Sequence, residues 1–93
     1  MSTSVVHAFD ASAPWALNEQ VSLRDESFGA LAYHHGTRRL VFLKSRELVE
    51  LVRRVSAFES LDAALDELVS VDERDRYLSA LTSLARSEII CGR

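Results

Sequence analysis

One change of hydrophobic period, at Ser45, limits what this chain can fold into. Before it, apolar residues alternate with polar ones or run in short blocks. After it they recur about every 3.6 residues. In the first half, Gln20-Val21-Ser22-Leu23-Arg24 alternates polar and apolar, the period of a half-buried strand. Phe28 to His34, the loop His35-Gly36-Thr37-Arg38, and Arg39-Leu40-Val41-Phe42-Leu43 follow. Two β-rich runs around a glycine-containing loop make a hairpin signal. Three short strands joined by short turns predict an antiparallel meander. The last run, Leu40 to Leu43, is apolar throughout. It is either covered on both faces or lies against something outside the chain.

In the second half, Ser45 is placed to cap a helix, with Glu47 near the positive end of its dipole. Leu48, Leu51, Val52 and Val55 fall at i, i+3, i+4 and i+7, one apolar stripe. Ser60 is placed to cap a second helix with Leu61, Ala64, Leu65 and Leu68 inward. Asp72 and Asp75 resemble a capping box with Asp in place of Glu. The third helix runs from there to about Glu88, with Tyr77, Leu78, Leu81, Leu84 and Ala85 as its stripe. Ile89-Ile90 closes the core or pairs as a short strand. The order βββααα puts helices after strands, which argues for an α+β fold. One packing of these pieces is winged-helix-like, a three-helix unit beside a small sheet.

With 93 residues, 47% of them hydrophobic, the chain supports one core. Residues 1–14, with Val5-Val6, His7 and Pro14, read as a mobile lead-in. Residues 15–93 read as a single domain, with Trp15-Ala16-Leu17 its first anchored segment. A net charge of −3 does not favour a phosphate-gripping surface. The single cysteine, Cys91, excludes an intramolecular disulfide and a Cys-built zinc site. No apolar run reaches the roughly 18 residues of a membrane span, and the N-terminus lacks a signal-peptide order, so a cytoplasmic protein is expected.

Phe28-Gly29-Ala30-Leu31 with Tyr33, then Gly36-Thr37-Arg38-Arg39-Leu40 with Phe42-Leu43, carry a more specific signal. With Trp15-Ala16-Leu17-Asn18 upstream and Leu48-Val49 downstream, the chain resembles the small peptide chaperones of mycofactocin biosynthesis. These belong to the PqqD-like family of precursor-peptide recognition elements. The likeness covers roughly residues 15–90. It implies a non-catalytic module that binds a ribosomally made precursor peptide and presents it to a radical S-adenosylmethionine enzyme. It also implies binding along the outer edge of the third strand and the groove between that strand and the third helix.

The residues are compatible with this. The last strand of a meander has an unpaired row of N–H and C=O groups, a hazard unless charged, covered or used. A peptide added as a further strand would satisfy them. The candidates for contact are Arg39, Leu40, Val41, Phe42 and Leu43 on the strand, and Arg74, Tyr77, Leu78, Leu81 and Ala85 on the helix. Arg38, Arg39, Lys44 and Arg74 are placed to steer an acidic peptide. The same open edge would permit a homodimer. The rival reading is a winged-helix DNA-binding regulator. Against it, the candidate recognition helix opens with Glu73 and Asp75, although Arg74, Arg76 and Arg86 soften the objection. No cofactor is expected. His34 and His35 are neighbours on a strand, so they point to opposite faces and do not share a metal. The acidic run from Asp62 to Asp75 lacks the ligand spacing of a cation loop and reads as a solvated helix face. No convergent acid/base or nucleophile set suggests an enzyme.

Overall fold

A computed structural model describes residues 9–93. Val5, Val6 and His7 lie outside the described residues. The elements are β1 (Trp15–Leu17), β2 (Val21–Glu26), β3 (Gly29–His34), β4 (Leu40–Leu43), α1 (Arg46–Arg54), α2 (Leu61–Leu68), α3 (Arg74–Arg86) and β5 (Ile90–Gly92). Short 3₁₀ turns follow α1 and precede α3. The α+β class and the antiparallel meander β2-β3-β4 agree with the sequence reading. The strand count does not. β1 and β5 pair antiparallel as a separate ribbon, so five strands stand where three were expected. Each is three residues long, too short to show an alternating pattern.

The helix caps form where serine predicts them. The Leu48 N–H donates to Ser45 Oγ, and the Ala63 N–H donates to Ser60 Oγ. The Asp72–Asp75 capping box does not form. Glu73 is the N-cap of α3 and makes no side-chain cap bond. A 3₁₀ turn over Val71–Glu73 instead gives the N–H groups of Glu73 and Arg74 backbone partners at Ser70 and Val71. At its other end α3 closes with bonds from the N–H groups of Glu88 and Ile89 to the carbonyls of Ala85 and Leu84. Glu88 takes the left-handed conformation there (φ 63°), where helices usually place glycine.

The core joins the inner face of the meander to the helices. Ala30 and Ala32 are wholly buried, and their small side chains let α1 lie close over β3. Leu43 from the sheet shares one core with Leu51, Val52 and Val55, with Leu61 and Leu65 of α2, and with Leu81 of α3. Gly29 marks the tightest approach. Its φ is +148°, and a Cβ there would sit 2.1 Å from the Leu43 carbonyl oxygen. Only glycine lets β3 begin beside the point where β4 hands over to α1.

Before β1, the described residues are tied to the domain. The N–H groups of Leu61 and Asp62 donate to the carbonyls of Ala13 and Ala11. The Trp15 indole donates to the Asp10 carbonyl at 2.8 Å, and its ring lies 4.8 Å from that of Phe9. Ser12 donates to the Asp10 carboxylate from both its hydroxyl and its N–H, which holds that carboxyl below its usual pKa.

Candidate peptide-binding edge

β4 has one sheet neighbour, β3, in the register Ala30↔Leu43, Leu31↔Phe42, Ala32↔Val41, Tyr33↔Leu40. One bond beyond the strand end fixes which backbone groups point where. The His34 N–H donates to the Arg39 carbonyl, so this pair is a hydrogen-bonded one. Antiparallel pairs alternate between bonded and non-bonded. Val41 and Leu43 therefore exchange their bonds with β3. The N–H and C=O of Leu40 and Phe42 point outward along the open edge. The same residues carry exposed side chains, 56% for Leu40 and 55% for Phe42. Val41 turns inward and packs on the core, and Leu43 is wholly buried.

On the outer face of the sheet, the ring of Phe42 meets that of Phe28 edge-on at 5.8 Å. Phe28 is 44% exposed and was not among the sequence candidates. The signal was available, since Phe28 lies two residues before Ala30, which pairs with Leu43 next to Phe42.

A cleft of about 190 Å³ adjoins the C-terminal end of β4, lined by Lys44, Ser45 and Leu48 on one side and Arg76, Tyr77 and Ala80 of α3 on the other. The Tyr77 ring is core, only 4% exposed, but its hydroxyl reaches the cleft floor. That hydroxyl lies 3.3 Å from Ser45 Oγ and accepts from the Arg76 guanidinium at 3.2 Å. Arg76 also stacks over the Tyr77 ring, 5.0 Å from its centroid, and pairs with Glu73. The hydroxyl bond and the Glu73 charge both favour its protonated form, raising its pKa.

Of the helix residues the sequence nominated, Tyr77 alone lines this cleft. Leu81 is wholly buried and belongs to the core. Leu78 and Ala85 are half-buried and pack against that core. Arg74 is placed elsewhere. Its guanidinium spans Asp62 and Asp66 of α2, at 2.5 Å to each, and is engaged away from β4. Arg39 stands at the N-terminal end of β4, exposed. Ser45, Leu48, Arg76 and Ala80 were missed as lining residues. Ala80 lies at +3 from Tyr77, one turn along the same helix face.

The larger cleft, about 620 Å³, lies between the β2–β3 turn and α1. Its walls are Asp25, Glu26, Ser27, Gly29, Arg46, Val49, Glu50 and Arg53. The Arg53–Asp25 ion pair, 3.0 Å, crosses it, and one apolar side chain, Val49, lines it. Its lining is more polar than apolar.

His34 and His35 do point apart. His35 faces outward against Ser22 Oγ at 2.7 Å and the Tyr33 ring. His34 is 3% exposed. Its Nδ1 accepts from the N–H groups of Gly36 and Thr37, both at 3.1 Å, and so holds the turn that leads into β4.

The site is thus an open, uncharged sheet edge with a small cleft at its end. Residues 14–91 match the Peptide chaperone MftB family, and the chain belongs to that family. It is 42% identical to a peptide chaperone MftB of Mycolicibacterium smegmatis over 97% of this chain and 91% of that protein. It is 40% identical to one of Mycobacterium tuberculosis, over 91% of this chain and 79% of that protein. A Mycobacterium ulcerans relative is 41% identical over 89% of this chain and 77% of that protein. No solved structure matches the chain.

Proposed function

We propose that the chain is a non-catalytic peptide chaperone that takes up the mycofactocin precursor peptide as a fourth strand on β4. The observation that carries this is the outward row of backbone groups at Leu40 and Phe42, framed by apolar side chains and free of charge. An incoming strand would satisfy those groups. Alternate side chains of the peptide would fall on the Phe42–Phe28 side and on the side of the Tyr77 cleft.

The chaperone then presents the peptide to a radical S-adenosylmethionine enzyme, in the cytoplasm, and supplies no cofactor of its own. Nucleic acid is disfavoured as a ligand, because Arg74 and Arg76, the cations at the start of α3, are engaged with Asp62, Asp66 and Glu73. Calorimetric titration with the precursor peptide tests the proposal. Saturable binding with a Kd near or below 1 µM, about −8 kcal/mol, is expected. No saturable binding at about 50 µM overturns it, since so weak an affinity leaves less than about −6 kcal/mol.

A further inference from the structure

We infer, resting on that strand-addition reading, that the edge selects peptides whose apolar centre is flanked by carboxylates about five residues apart. The cations of the described residues divide into two sets. Arg24, Arg53, Arg54, Arg74 and Arg76 each pair with a carboxylate. Arg38, Arg39, Lys44, Arg46, Arg86 and Arg93 make no ion pair among the described residues, and Arg93 donates to the Phe58 carbonyl instead. The first four bracket β4. Arg38 and Arg39 directly precede Leu40, Lys44 directly follows Leu43, and Arg46 opens α1.

Arg39 and Lys44 stand five positions apart, about 17 Å along a strand at about 3.4 Å per residue. A peptide strand paired with β4 has residues opposite these two at the same spacing, whichever way it runs. Carboxylates there complete the ion pairs that the protein leaves open.

The same charges disfavour a second copy as the occupant. The antiparallel two-fold register centred on Val41 pairs the outward groups of Leu40 with those of Phe42 of the other copy, and at each end it sets Arg38 opposite Lys44. Like charges directly opposite each other destabilise a ladder. A nucleic-acid backbone would match the cations but leave Leu40 and Phe42 against a charged ligand. A peptide acidic at both flanks and apolar between them fits all six side chains.

The test uses three capped peptides of about twelve residues sharing one Val-Thr-Val-Thr centre, with the two flanking positions both Glu, both Gln or both Lys. Affinities are measured at about 0.05 M and about 0.5 M salt. The Glu peptide is expected to bind about tenfold tighter than the Gln peptide at low salt, and about twofold at high salt. The Lys peptide is expected to be weakest. In an Arg39→Gln/Lys44→Gln variant with an unchanged circular dichroism spectrum, the Glu and Gln peptides should bind equally. Equal binding of Glu and Gln peptides to the natural chain overturns this inference and leaves strand addition standing. Binding by none of them, together with none by the precursor, overturns strand addition itself. A short DNA duplex that outcompetes the Glu peptide, or dimers at micromolar protein without peptide, also overturns it.

Discussion

The meander has two edges, and they carry opposite side-chain patterns. Both leave backbone groups unpaired. On β2 the His35 N–H bonds the Gln20 carbonyl, so by the same alternation the groups of Leu23 and Asp25 point outward. That edge is guarded. Arg24, Asp25 and Glu26 put three consecutive charges on it, held in pairs by Arg24–Glu26 at 2.8 Å and Arg53–Asp25 at 3.0 Å. β4 carries no charge within its four residues, and its cations stand only at the two ends. One sheet therefore has one edge with the usual charged protection and one without it. The difference lies in side chains, since the backbone offers the same kind of groups at each margin.

Several substitutions break or sharpen this contrast. The largest effect belongs to Gly29→Ala, which forces a methyl group into the Leu43 carbonyl at a backbone angle alanine avoids. A loss of about 2–4 kcal/mol is expected in chemical denaturation, because β4 is pushed from its place. His34→Ala removes the acceptor for two turn N–H groups just before β4, with an expected loss of about 1–3 kcal/mol by the same measurement.

Leu40→Lys/Phe42→Lys gives β4 the protection β2 already has. Both side chains are more than half exposed, so stability should move by less than about 1 kcal/mol while precursor affinity falls at least about tenfold. Calorimetry and a denaturation curve on the same sample separate the two effects. The converse change strips β2, through Arg24→Thr/Asp25→Thr/Glu26→Thr. Precursor affinity should stay within about twofold, and self-association should appear in sedimentation, since a bare edge pairs with another. Smallest is Glu88→Gly, which relieves the left-handed residue after α3 and should add about 0.5–1 kcal/mol without touching either edge.

Much of this was legible in the sequence, for identifiable reasons. The meander and α1 announced themselves through a clean shift of period and through serines at cap positions. Of the ribbon of β1 and β5, the sequence offered only a short strand at Ile89-Ile90; its pairing was hidden, because a contact across 77 positions, Trp15 with Gly92, leaves no local trace. The acidic capping box failed because a 3₁₀ turn supplied the same bonds from the backbone. At the edge, Leu40 and Phe42 were readable as an uncharged strand. Which of the four residues turns its backbone outward depends on a single bond, His34 to Arg39, that composition does not encode. Arg74 was misplaced because the helix spacing showed its charge and not the two α2 carboxylates it reaches. Leu81 and Ala85 shared the stripe of Tyr77, but only the residues facing Lys44 and Leu48 line the cleft.

Residue-resolved amide exchange, with and without the precursor peptide, tests the open edge most directly. The N–H groups of Leu40 and Phe42 should exchange freely in the chain alone and become protected when peptide binds. Those of Val41 and Leu43, already bonded to β3, should change little. Protection that appears at Leu23 and Asp25 instead, or at neither edge while the peptide is bound, would contradict strand addition on β4.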